Sequence, residues 1–234
     1  LLRFRREFPE HKFNGDVTAK LAVAFREDGR PADAAGEYER IAATDGTAEV
    51  QRAALWQAAE LYAAAGQPAN EARLYEAIVT RFPAPPAEAL EARYKLASLA
   101  AADADWQARK RWLEAIVAAD AAGGAARTDR SRFLAATAAI ELARPKRDAF
   151  LATSLAAPLD RSLKLKKTRM EEALLAYRAA AGYGVAPVTT AATFETAELY
   201  YQLSRDLLAY ERPADLTSHE HDEYALLLEQ QAFP

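Results

Sequence analysis

The sequence predicts an all-α protein, an α-solenoid of stacked antiparallel helix pairs, on three observations. The first is composition. Hydrophobic residues make up 51% of the 234 positions, much of that alanine, and glycine occurs only 9 times. Alanine favours helix and lets helices approach closely. Val and Ile are sparse, and no long stretch alternates apolar with polar residues as a half-buried strand would. The second is the stretch 53–83. Apolar residues recur there at helical spacing through Leu55, Ala58, Ala59 and Tyr62, break at Gly66-Gln67-Pro68, resume through Ala72, Tyr75, Ile78 and Val79, and stop at Phe82-Pro83. The third is rhythm. Gly29 and Gly66 lie 37 positions apart, as do Tyr38 and Tyr75, and Pro9, Gly46 and Pro83 share that interval. Such an array grows by stacking each helix pair on the next and needs no shared centre.

Taken in order, 1–15 is a partial repeat, because Phe8-Pro9 matches the ending Phe82-Pro83. A first full repeat spans about 16–46, with Leu21, Ala22 and Phe25 in its first helix, Gly29 at the turn, and Ala34, Tyr38 and Ile41 in its second. The second repeat is 47–83. Gly66 suits a turn needing positive φ, and Pro68 suits a first helical turn. The third, 87–121, is weaker. Tyr94, Leu96 and Ala97 take first-helix positions, and Glu114-Ala115-Ile116-Val117 echoes Glu76-Ala77-Ile78-Val79 at an interval of 38. Asp103-Ala104-Asp105 replaces the turn glycine, and either Asp can cap the next helix. Gly123-Gly124 ends that helix and, with it, the array over 1–124.

Over 125–234 the repeats continue in divergent form. The expected elements are a helix over 127–143 closed by Arg144-Pro145, another over 146–157, and a long one over 159–181 started by Pro158. Ala173, Tyr177 and Ala180 show a small, aromatic, small pattern near its end. Gly182-Tyr183-Gly184 and Pro187 form a break. A helix over 190–210 follows, in which Ala197 and Tyr200 fit a first-helix pattern, then an interruption at Arg212-Pro213. A last helix is capped by Ser218 and runs through Gln231. The partial repeat at the start and the stop at Phe233-Pro234 suggest a fragment of a longer protein.

The stretch 53–83 resembles a tetratricopeptide repeat (TPR). The family's pattern is matched by Leu55, Ala58, Ala59, Tyr62, Gly66, Tyr75 and Pro83, and departed from at Glu71 and Ile78, where small residues are usual. The resemblance implies a right-handed superhelix and a non-catalytic scaffold for protein–protein interaction. It also implies that first helices line a concave groove. By position, the groove residues are Ala19, Val23 and Arg26, then Ala53, Trp56, Glu60 and Ala63, then Glu91, Tyr94, Ser98 and Ala101. One equivalent position holds Ala19, Trp56 and Tyr94. Trp and Tyr are good anchors for a bound segment because they bury large area at little entropy cost. The competing expectation is that Trp56 packs between repeats. Trp106 and Trp112 are expected to pack against a neighbouring repeat. The long period and FP endings resemble bacterial cell-envelope TPR proteins of the Tol-associated and outer-membrane assembly type. A periplasmic or envelope location follows from that, with the cytoplasm as the alternative. A second functional reading is an architectural spacer or self-assembly segment with an empty groove.

Little in the sequence points to catalysis. There is no cysteine, so no disulfide, thiolate metal site or cysteine nucleophile. His219 and His221 flank Glu220, but residues two apart on a helix diverge, and zinc prefers i and i+4. His11 stands in a connection with no evident partner. Glu171-Glu172 and Asp222-Glu223 diverge likewise, whereas acid–base work needs converging carboxylates. No cofactor or metal site is expected, nor an enzyme. The net charge of −4 argues against nucleic acid as a partner. Arg161, Lys164, Lys166, Lys167 and Arg169 form the most basic stretch. They spread around a helix without interleaved aromatics, so they read as a solvated face. The expected partner is a protein or peptide. No apolar run reaches the roughly 20 residues needed to span a membrane.

Overall fold

A computed structural model describes residues 1–44, 46–84, 86–210 and 218–232. Its described residues form helices and connections, with no strand among them. The helices are α1 (Leu2–Glu7), α2 (Asn14–Glu27), α3 (Pro31–Thr44), α4 (Ala48–Ala64), α5 (Pro68–Arg81), α6 (Pro86–Ala102), α7 (Trp106–Ala122), α8 (Asp129–Leu151), α9 (Leu159–Ala181), α10 (Ala186–Leu208) and α11 (Ser218–Ala232). They fall into two compact units, Leu1–Ala126 and Arg127–Pro234.

In the first unit each helix from α2 to α7 packs on the next. The three full repeats are therefore α2/α3, α4/α5 and α6/α7. Close approach within each pair rests on a buried alanine, Ala22, Ala59 and Ala97 in turn. Tyr62, Tyr75 and Ile78 fill the second repeat, and Trp112 of the third packs against that cluster. Ile116 of α7 is likewise buried. The ending shared by Phe8 and Phe82 is a common geometry. Their φ/ψ values are −131/65 and −130/69, and each N–H donates four residues back, to Phe4 O and Ile78 O. Glu71 departs from the small residue of the pattern by lying half-buried. Burial pushes its carboxyl up, opposed by the Lys95 charge.

The three inter-helix turns are one structure. Gly29 and Gly66 have φ of 69° and 68°, and Ala104 takes the same left-handed conformation at 55°. The following residue closes the turn by donating five back: Arg30 to Phe25 O, Gln67 to Tyr62 O and Asp105 to Ala100 O, each at 2.9 Å. The left-handed residue donates three back, to Arg26 O, Ala63 O and Ala101 O. These paired bonds satisfy carbonyls that a helix end leaves orphaned. Asp105 then caps α7 by accepting from Ala108 N. An alanine in this conformation carries a cost of about 1 kcal/mol that glycine avoids. Ala104→Gly is therefore expected to stabilise the unit by about 0.5–1 kcal/mol, and Gly66→Ala to destabilise it by about 1 kcal/mol. Urea unfolding of the two variants checks the opposite signs.

The second unit departs from expectation in three places. The helices expected over 127–143 and 146–157 are a single helix, α8, with Pro145 inside it. Ala143 and Phe150, seven apart on either side of the proline, are both fully buried against α9 and α10 residues. Keeping both in the core requires a continuous helix, which outweighs the missing backbone bond. The helix ends at Leu151, and 152–158 connect it to α9. Second, α10 begins at Ala186 rather than near 190, with Pro187 in its first turn, where a missing N–H costs little. Third, Ala197 and Tyr200 fit the first-helix pattern of Ala59 and Tyr62 in sequence, but they are exposed where those two are buried. The buried stripe is Val188, Ala192, Leu199, Leu203 and Leu207, since three leucines bury more apolar area than an alanine and a tyrosine tip. The expectations at Arg212-Pro213 and Phe233-Pro234, and those on the side chains of Ser218, Glu220 and His221, lie outside the described residues. Packing in this unit joins α8 to α9, α9 to α10, α10 to α11, and α8 to α10.

Candidate functional site

The candidate site lies between the first helices of two successive repeats, α4 and α6. Thr47 starts α4 by accepting from Val50 N at 3.4 Å, a cap that fixes where the helix begins. Ala54, Leu55, Ala58, Ala59 and Tyr62 form its buried stripe. Trp56 sits at the edge of that stripe and is half-buried. Its ring meets Tyr75 of α5 edge-on, with centroids 5.2 Å apart at 69°. Its Nε1 donates to Glu60 Oε1 at 2.9 Å, and Gln57 Nε2 donates to the other Glu60 oxygen at 3.3 Å. The indole is thus held by packing below and by a hydrogen bond one turn along.

Across from it, the first turns of α6 present Glu88 and Glu91. Arg52 of α4 pairs with Glu88 and also donates to Ala84 O at 3.4 Å, which fixes the spacing of the two helices. Between them is an open cleft of about 340 Å³ lined by Ala53, Trp56, Gln57, Glu88 and Glu91. Its floor is a methyl group and an indole, and its rim carries carboxylate and amide groups. Beneath it the Tyr75 phenol is pushed well above its ordinary range, by burial first and then by the Glu71 and Glu60 charges.

Of the residues expected to line the groove, Ala53, Trp56 and Glu91 converge here, while Glu60 holds the Trp56 indole without lining the cleft. Gln57 and Glu88 complete the cleft; Glu88 lies three residues before Glu91 on α6, so helical spacing from Glu91 pointed to it. The structure places Ala19 elsewhere, in a separate cleft of about 920 Å³ whose walls include Arg5, Asn14 and Ile41. Val23 and Arg26 are exposed on α2. Tyr94 is half-buried, and Ser98 Oγ donates to Tyr94 O within α6; neither lines the cleft. Trp56 therefore has both of the environments weighed for it, packed on one face and open on the other.

The scaffold behind the cleft is tied by Glu39 of α3. It accepts from Tyr62 Oη and from Arg73 Nη2, both at 2.8 Å. Burial alone pushes this carboxyl up, but the bonds from Arg73 and Tyr62 outweigh it, and its pKa falls below the ordinary value. Tyr62 is pushed up to about 12, by burial first and then by Glu39. A carboxylate with a lowered folded pKa stabilises above its unfolded pKa, and that stabilisation is lost as pH falls through the folded value. Glu39→Gln is expected to cost about 1 kcal/mol at pH 7. The gap to the wild type should close below about pH 4, which thermal melts across that range measure.

Two other expectations change. Lys166 is not part of a solvated face: it is 1% exposed. Its Nζ lies 2.6 Å from Asp206 Oδ2 and from Thr153 O, and 4.5 Å from the centre of the Phe150 ring. His11 has partners after all: its Nδ1 accepts from Phe13 N at 3.2 Å, and its ring meets Phe4 edge-on at 5.2 Å. His219 is exposed beside Glu223 at 3.4 Å. Among the described residues no three His, Asp or Glu side chains gather as a metal site. No described helix is long and apolar enough to cross a membrane.

No family description matches the chain, and no curated protein matches it. Solved structures similar to it include two of nearly identical TPR-like repeats from a Podosopora anserina chain described as a kinesin light chain. One is 16% identical and one 18%, each has a TM-score of 0.44, and each alignment covers 95% of this chain. They are covered over 95% and 96% of their own lengths.

Proposed function

We propose that this protein is a non-catalytic interaction scaffold whose α4/α6 cleft seats a side chain from an extended or helical segment of a partner protein. The observation that supports this is the cleft itself, with its indole floor and carboxylate rim. A side chain with an apolar stem and a hydrogen-bond-donating tip suits it: the stem covers Trp56 and Ala53, and the tip reaches Glu88 or Glu91. The helix pairs present this surface preformed, so the partner bears most of the ordering cost. A spacer role would leave the cleft empty.

Peptide display against the folded protein, followed by affinity measurement on the selected peptides, tests the reading. Trp56→Ala is expected to weaken them roughly 30-fold or more, with helix content unchanged. Equal binding by both proteins would rule out the cleft as the site. We place the protein in the bacterial envelope on its resemblance to long-period envelope repeats, with the cytoplasm as the alternative. Fractionation of cells expressing the full gene product decides between them.

A further inference from the structure

We propose that α10 carries a self-association face, across which two copies of this chain pair antiparallel about Tyr201. Helix α10 is apolar on two sides. Val188, Ala192, Leu199, Leu203 and Leu207 are buried in the second unit. At 100° per residue, Phe194, Tyr201 and Leu208 point nearly the opposite way. They are spaced by seven and are 62%, 58% and 50% exposed. A helix apolar on both sides is one that is covered on both sides. Beside this stripe run the small residues Ala197 and Ser204, also seven apart. Large residues alternating with small ones at heptad spacing are knobs with holes to receive them.

The occupant follows from the symmetry of the stripe. Positions 194 and 208 are equidistant from 201, and 198 and 205 are equidistant from 201.5. An end-for-end rotation about Tyr201 lays Phe194 against Leu208 of the second copy and sets Glu198 one residue, about 1.5 Å of helix rise, from its Arg205, within reach of a long side chain. Glu198 and Arg205 form no ion pair among the described residues; the Arg205 guanidinium lies 5.8 Å from the centre of the Tyr201 ring. Two-fold pairing makes the Glu198–Arg205 contact twice, as an isologous interface requires. This face lies in the second unit and does not depend on the α4/α6 cleft.

Sedimentation equilibrium of the chain over a concentration series tests this. The wild type should show a reversible monomer–dimer equilibrium. Tyr201→Asp should weaken it roughly 30-fold or more; the side chain is exposed, so helix content should not change. Glu198→Arg or Arg205→Glu alone should weaken it about 10-fold, and the double swap should restore it to within about 3-fold. A wild type that stays monomeric up to about 100 μM would overturn the proposal. So would a dimer indifferent to Tyr201→Asp, or a double swap as weak as the single changes.

Discussion

Asp206→Ala is expected to lower the stability of the second unit by about 3 kcal/mol, moving its thermal midpoint down on the order of 10 °C. The cause is the ammonium left behind. Lys166 Nζ is buried and has Asp206 Oδ2 as its only anionic contact among the described residues, at 2.6 Å. Its other neighbours are neutral: Thr153 O at 2.6 Å, Phe150 O at 3.4 Å and the Phe150 ring. A buried charge that loses its counter-charge keeps its desolvation cost without the compensation. Lys166→Met should cost less, about 2 kcal/mol. Asp206 is 28% exposed and also accepts from Gln202 Nε2 at 2.7 Å, so water and the amide can satisfy it. What Lys166→Met loses is mainly the cap over the end of α8, because Phe150 O and Thr153 O lie there. Combining Lys166→Met with Asp206→Ala should cost less than the sum of the two. Melts of the two single variants and the double followed by circular dichroism measure the cycle. Strict additivity would show that the pair is not coupled.

Pro145→Ala is expected to raise the stability of the same unit by about 1–3 kcal/mol. Pro145 lies inside α8 and cannot donate to Glu141 O, and its ring crowds that carbonyl. The residue is exposed, so alanine opens no cavity and supplies the missing N–H. The flanking Ala143 and Phe150 already hold the helix in place from the core side. The same thermal melts read the upward shift. A drop instead would mean that the helix needs the proline's local geometry to place Phe150.

At these two sites tertiary contacts override the local pattern. Pro145 looked like a helix end because propensity is a local rule, and locally the rule is right. It lost to two contacts that no local window contains. Lys166 looked solvated because it sits among four other basic residues. Its helical spacing from Met170, Ala173, Tyr177 and Ala180 placed it on the buried stripe of α9, so the signal was present. Its counter-charge, 40 positions further on, was not visible in that stripe. At the cleft, Trp56, Ala53 and Glu91 were legible from their position in the repeat, while Ala19 and Tyr94, assigned to the same position as Trp56, line different surroundings. The equivalence of positions held along the chain but not in what stands opposite each one.

What the chain determined alone is whatever its neighbours within a turn or two decide: helix rather than strand, the 37-residue period, the left-handed turns and the alanines that let helices close. Even the missing glycine at Ala104 is overridden by the same two backbone bonds that close the other turns. Tertiary structure decided whether α8 is one helix or two, which side of α10 is core, where Lys166 goes and which groove residues meet. Each of these depends on burial against residues far along the chain, and the free energy of burial is shared among elements rather than owned by any one of them.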